Sequence, residues 1–256
     1  MYKANKHTTY KKTKMPSSVL TPTNFDVKTV TFGKHKPNTN GGYNIELTVG
    51  DCANETLLQT PKMRAPFGIG TDKTNPFKKS VDISFQGQDS SVSMKAFRAV
   101  IEKMDTLVID YALKNSKTFF GKELSREVIT EYYCSGIKKS KKEEYSDTFR
   151  FKLLFLKPNP EKNLPNGKYI TSFWDPKGVE SESNYFDKGD SITALIKPQM
   201  LWVANKGFGI TWVSTQVRVY KQEKSSRCAF VKTEDDADED EYEEVEESEE
   251  EVEVDA

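Results

Sequence analysis

A mainly β domain with one long helix inserted between its strands is the fold class this sequence predicts. Two patterns carry that expectation. Apolar and polar residues alternate in short runs toward both ends of the body, and between them apolar residues recur at spacings of three and four. A third observation marks where the domain stops. The last 23 residues, from Glu234, hold 16 carboxylates and no lysine or arginine.

Residues 1–24 are rich in Lys, Thr, Ser and Pro and offer little to bury, so they are expected to form a flexible basic arm. Residues 25–33 alternate around Phe25, Val27 and Thr29, a first strand. A turn over 37–42 leads to a second at 43–49, where Tyr43, Ile45, Leu47 and Val49 share one face. Residues 55–60 read as a third, and Val81, Ile83 and Phe85 mark a fourth. The period then changes. Met94, Phe97, Ile101, Met104, Val108 and Tyr111 line one stripe of a helix over 91–115, with Ser91 or Ser93 as its cap. A shorter helix follows over 125–132, then a polar loop at 138–142 and a strand at 148–156. Pro158, Pro160 and Pro165 announce a long connection. Strands at 191–197, 200–204 and 207–220 close the body, with Asn205-Lys206 before Gly207 as a tight hairpin turn. Strands, one long helix, then strands suit an OB-like barrel with the helix between strands over 25–222, followed by a linker and disordered acidic tail over 223–256. A mixed α+β sheet is the alternative.

The formal net charge of −1 hides two blocks of opposite sign. Of the 39 carboxylates 16 lie in the tail, which leaves 23 against 38 basic residues and a net charge of +15 on residues 1–233. That asymmetry points to a polyanionic partner, with nucleic acid foremost. Cys52, Cys134 and Cys228 form no closely spaced pair, and with only His7 and His35 no zinc ligand set is expected. Scattered cysteines suit a reducing compartment. No apolar run nears the roughly 20 residues of a membrane span. The first 14 residues, with five lysines, do not read as a secretory signal. A soluble, intracellular protein is expected. Phosphate-binding loops, nucleophile elbows and deaminase zinc motifs are all missing, so neither catalysis nor a cofactor nor a metal is expected.

Binding a single strand requires cations for phosphates and aromatic faces for bases. The segment 59–70 supplies Lys62 and Arg64 between Pro61 and Pro66, with Phe67 beside them and Lys73, Lys78 and Lys79 following. The alternative is a rigid connection with solvated lysines. Lys138, Lys139, Lys141 and Lys142 are candidate phosphate contacts or a solvated loop. Trp174 lies in the Pro- and Gly-rich connection, with Tyr169, Phe173 and Tyr185. The final hairpin holds Trp202, Lys206, Phe208, Trp212 and Arg218. Simple alternation puts Phe208, Ile210, Trp212, Ser214, Gln216, Arg218 and Tyr220 on one face, a binding face, and Thr211, Val213, Thr215, Val217 and Val219 on the other, a core face. Core burial of Trp202 and Trp212 is the competing reading. The tail, roughly 25 Å in typical span, is long enough to reach across a small domain and compete with nucleic acid.

Three features then resemble a known family: Gln-Thr-Pro-Lys-Met-x-x-Pro-Phe-Gly at 59–68, a helix after a β block, and Trp-x-x-x-x-x-Phe-Gly-x-x-Trp at 202–212. Over residues 25–222 they look like the single-stranded DNA-binding proteins of nucleocytoplasmic large DNA viruses. More distantly they resemble the replication proteins of this kind in short-tailed phages. The resemblance implies an OB fold and a protein that coats single strands in viral DNA replication, recombination and repair. It also implies single-stranded DNA as the partner. Replication proteins acting through the tail and a second copy of the chain are further candidates. The host-cell site of viral DNA replication is the implied location, with the virion a second candidate. Phage and bacterial proteins of this type usually end in an aromatic residue that docks on partners, whereas this chain ends Val254-Asp255-Ala256. Competition for the groove is therefore the tail role that carries over. Two other classes compete: a histone or basic-protein chaperone, against which a +15 body argues, and a single-stranded RNA-binding protein.

Overall fold

A computed structural model describes residues 18–38, 41–50, 56–162, 164–180 and 185–222. The basic arm to residue 17 and the acidic tail fall outside them, as do the expectations made for both. The strands in chain order are β1 (Ser18–Leu20), β2 (Val30–Asn38), β3 (Gly42–Val49), β4 (Thr56–Gln59), β5 (Met63–Arg64), β6 (Ile69–Thr71) and β7 (Lys79–Ser84). Three helices follow, α1 (Val92–Lys114), α2 (Ser116–Phe120) and α3 (Arg126–Tyr132). Then come β8 (Ile137–Lys138), β9 (Thr148–Leu153), β10 (Phe155–Leu156), β11 (Lys168–Tyr169), β12 (Ser172–Trp174), β13 (Ser191–Ala204) and β14 (Gly207–Tyr220). The protein is mostly β with a few helices.

The first strand expected at 25–33 starts later. Asp26 accepts a hydrogen bond from the Lys28 N–H at 2.9 Å and caps a short 3-10 turn over Val27–Thr29, so extended pairing begins only at Val30. The strand runs on through Pro37, which β2 tolerates because it pairs only with β3. Ser18–Leu20, expected within the basic arm, joins the sheet in parallel with β4.

Helix α1 forms where the spacing predicts it. Ser91 Oγ accepts from the Met94 N–H at 3.3 Å, satisfying one of the first-turn donors. Phe97, Val100, Ile101, Met104, Val108 and Ala112 are buried along one stripe against the sheet, while Met94 and Tyr111 flank it half-buried. Each of the buried Phe, Val, Ile and Met side chains contributes about 1.5–3 kcal/mol when fully buried.

The pairings β13–β5–β7–β9–β14 return to β13, a closed circuit in which every pair is antiparallel except β9–β14. Closure leaves these five strands without a free edge where they pair. The terminal hairpin turns at Asn205-Lys206, with Ala204 opposite Gly207. Its first arm is one continuous strand of 14 residues rather than the two expected.

A register shift in that hairpin overturns the simple alternation. Leu195 pairs with Gln216, but the next residue, Ile196, pairs with Ser214, leaving Thr215 as an extra residue on β14. A one-residue slip exchanges the two faces of a strand. Gln216, Arg218 and Tyr220 therefore stand outward with Leu195, Thr193 and Ser191. Phe208, Ile210 and Trp212, beyond the shift, turn into the core. Val213 takes the outward side, opposite Lys197 and Lys152, and is covered there all the same.

Candidate nucleic-acid interface

Where β6, β7, β8, β9 and the tip half of the terminal hairpin meet, they enclose a groove of about 420 Å³. Outward positions of neighbouring strands supply its floor. Gly70 lies opposite Ser80, Ser80 opposite Lys152, and Asp82 opposite Arg150. Lys78, Lys79, Lys138, Arg150 and Lys152 line the groove against two carboxylates, Asp72 and Asp82, so three positive charges are in excess.

Both carboxylates are already engaged. Arg150 donates from Nε and Nη2 to Asp82 at 2.7 and 2.6 Å, a two-pronged pair across the strands. Other N–H groups of the same guanidinium remain for a ligand. Asp72 accepts from the N–H groups of Thr74 and Asn75 and from the Thr74 hydroxyl, which holds its carboxyl below its ordinary value. Lys79 reaches the Thr71 hydroxyl at 3.0 Å. The Lys152 ammonium is held below the usual lysine range, first by desolvation and then by the charge of Lys78, against the pull of Asp72. A polyanion in the groove would relieve that repulsion.

Two aromatic side chains face the same space. Trp202 on β13 stands opposite Gly209 on β14, and a Cβ on that glycine would lie 3.1 Å from the indole ring and 2.7 Å from the Cys134 carbonyl oxygen. Only glycine lets the half-buried ring lie so close across the neighbouring strand, and the same residue lines the groove. Phe67, 61% exposed, stands at the groove edge just before Gly68, whose φ of +63° turns the chain. The far wall is fixed to α1. Asp105 accepts from the Tyr133 hydroxyl at 2.5 Å and the Ser135 hydroxyl at 2.6 Å, which anchors the segment around Cys134, Ser135 and Gly136. Arg98 donates to Asp147 at 2.7 Å, and Asp147 in turn accepts from the Ser140 N–H, tethering the loop after Lys138.

Of the residues predicted from sequence, the groove gathers Phe67, Lys78, Lys79, Lys138, Trp202 and Trp212. Two of the predicted aromatics are corrected as stacking faces. Phe208 is fully buried, and Trp212 is 2% exposed with its ring edge-on to Phe149, because the β14 register shift turns both inward. Lys62 lies over the Tyr220 ring at 4.3 Å, and Arg64 sits opposite Ser191, both on the other half of the sheet. Trp174 and Arg218 line a separate cleft there. Lys73, Lys139, Lys141, Lys142 and Lys206 are exposed in turns and loops, with Lys142 paired to Glu144 at 3.4 Å. Arg150 and Lys152 were missed by sequence reasoning. Their signal was the alternation Phe149, Phe151, Leu153 inward, which leaves 150 and 152 facing out. Among the described residues no group of three or more His, Cys, Asp or Glu side chains stands together to hold a metal ion. No described helix is long and apolar enough to cross a membrane.

Fold and site together define a mostly β protein with a cationic, aromatic-edged groove. The chain belongs to the family described as "Family of unknown function (DUF5871)", whose model matches residues 79–231. No curated protein matches it. Among solved structures it is similar to gp2.5, a single-stranded DNA-binding protein encoded by bacteriophage T7, at 14% identity and a TM-score of 0.46, over 69% of this chain and 98% of that one. It is also similar to the single-stranded DNA-binding protein from bacteriophage Enc34, at 13% identity and a TM-score of 0.40, over 81% and 99% of the two chains. For the Enc34 protein in complex with single-stranded DNA the values are 13% and 0.39, over 76% and 97%.

Proposed function

We propose that this protein binds single-stranded DNA along the groove, with phosphates on Lys78, Lys79, Lys138, Arg150 and Lys152 and bases against Trp202 and Phe67. The observation that carries the reading is a half-buried indole laid over Gly209 beside an excess of cations. A strand needs both at once, a flat apolar face for a base and positive charge for the backbone within the same few ångströms. A duplex hides its base faces and has no use for the first. The closed strand circuit, with its one parallel pair, supports an OB-like barrel as the underlying architecture.

The family resemblance extends this reading. The protein coats and protects single strands during viral DNA replication, recombination and repair, at the host-cell site of that replication. The acidic tail competes for the groove when no strand is bound. Replication proteins acting through the tail, a second copy of the chain, and packaging in the virion belong to the same proposal.

Filter binding of single-stranded DNA, duplex DNA and single-stranded RNA at two salt concentrations tests it. With four to six phosphates engaged, the logarithm of the affinity for single-stranded DNA falls against log salt with a slope of about −3 to −4. A flat response, or equal affinity for duplex, would refute the proposal, and tighter binding of RNA would move it to an RNA partner.

A further inference from the structure

Away from the groove, the other half of the same sheet carries a second cleft of about 280 Å³. Its side chains come from the outward positions of four paired strands. Gln59 on β4 lies opposite Leu195 on β13, Leu195 opposite Gln216 on β14, and Gln216 opposite Ser172 on β12. The next row is Thr193, Arg218 and Trp174. The row beyond is Arg64, Ser191 and Tyr220, with the Lys62 ammonium over the Tyr220 ring.

Within this array the chemistry is sorted by position. The Trp174 indole N–H is used inside the protein, on Ser172 Oγ at 2.8 Å, so what the ring offers the cleft is its apolar surface. The side chains of Gln59, Gln216 and Arg218 have no hydrogen-bond partner among the described residues. Two primary amides therefore line the same cleft as one indole, each with a donor and an acceptor free. Cations at Lys62, Arg64 and Arg218 run along one side. Stacking and phosphate attraction act on any base, but amides do not. A glutamine side chain matches a base edge that presents a donor and an acceptor side by side, and it rejects one that does not.

We propose that this cleft is a base-reading subsite. It takes one unstacked nucleobase of a single strand, flat against Trp174, with the Gln59 and Gln216 amides on the base edge and Arg218 on the adjoining phosphate. The inference rests on the single-strand reading of the groove and adds to it a base preference that the groove alone does not supply.

Two measurements on the full chain test it: titration with the four DNA homopolymers of equal length, and photocrosslinking of a 5-iododeoxyuridine strand followed by mass mapping. The expected result is a spread of about fivefold or more between the best and worst homopolymer. In the double variant Gln59→Ala, Gln216→Ala that spread narrows to within about twofold, while the salt slope is unchanged. Crosslinks are expected at Trp174. Single strands that bind with crosslinks at Trp202 or Phe67 and none at Trp174, and a homopolymer spread the double variant does not alter, overturn the subsite and leave the groove reading intact. Failure of the wild-type protein to bind any single strand removes both.

Discussion

Two tryptophans ten residues apart on one hairpin stand in opposite surroundings, and the difference is local. Trp202 lies across Gly209 and keeps part of its ring in the groove, whereas Trp212 is 2% exposed among Phe149 and the rest of the core. Trp202→Ala should weaken single-strand binding by about 1–3 kcal/mol, the contribution of one stacked base. Trp212→Ala should instead lower the free energy of unfolding by about 3–5 kcal/mol, because it opens a cavity in the core. A fluorescence titration and a urea melt on each variant separate the two. If Trp202→Ala leaves binding unchanged, the groove does not stack bases. Gly209→Ala bears on the same contact from the other strand. Its methyl would meet the Cys134 carbonyl and the Trp202 ring, so both stability and strand affinity should fall.

At the scale of elements, α1 acts as a strut under the groove wall. The Asp105 carboxyl is held above its ordinary value, first by desolvation, against the hydrogen bonds from Ser135 and Tyr133, with Glu102 adding repulsion. The folded state therefore keeps this proton more tightly than the unfolded chain does, and ionisation costs stability. That cost is absent below the unfolded value, about 3.9, and complete above the higher folded one, so this group's contribution falls as pH rises through the window. Asp105→Asn removes the titration and keeps an acceptor for one of the two hydroxyls. The difference in Tm between variant and wild type should therefore shift toward the variant as pH rises from about 4. A constant difference would mean that Asp105 does not titrate in that range. Asp147 and Asp190 work in the opposite sense. Desolvation opposes their charge, but hydrogen bonds from Arg98 and the Ser140 N–H, and from the Gln222 and Asp187 N–H groups and Lys221, hold both below the ordinary value. Taking the difference between the two proteins cancels their contribution.

For the whole molecule, charge governs. Lys78→Ala with Lys152→Ala removes two groove cations, so the salt slope should flatten by about 1 to 1.5 for single strands of any sequence. Thermal melting should not fall, since both side chains are exposed and their removal relieves the desolvation and mutual repulsion at Lys152. A steep slope retained by the double variant would locate the phosphate path elsewhere. Truncation after Lys232 removes 16 carboxylates and leaves 38 basic residues against 23 acidic ones. If the tail occupies the groove part of the time, the apparent affinity of the intact chain is reduced by that fraction. The truncated protein should then bind single strands more tightly, most of all at low salt, and gain more for duplex and other polyanions. Equal affinities at low salt would leave the tail a role in solubility or partner binding. The sequence by itself determined the period of α1, its serine cap at Ser91 or Ser93, the hairpin turn at Asn205-Lys206 and the separation of charge, because these can be read along the chain without knowing which strands pair. It also named Lys78, Lys79, Lys138, Phe67 and Trp202, though not that they share one groove. Tertiary structure alone decided three things. It decided which face Phe208 and Trp212 take, since one extra residue at Thr215 reverses an alternation that looks unbroken in the chain. It recruited Arg150 and Lys152, whose place depends on β7 and β9 pairing across the 67 residues between Asp82 and Arg150, a register no local pattern encodes. And it split the predicted cations between the two halves of the sheet, because β5 pairs with β13 at Ser191 and Ile192, away from the groove.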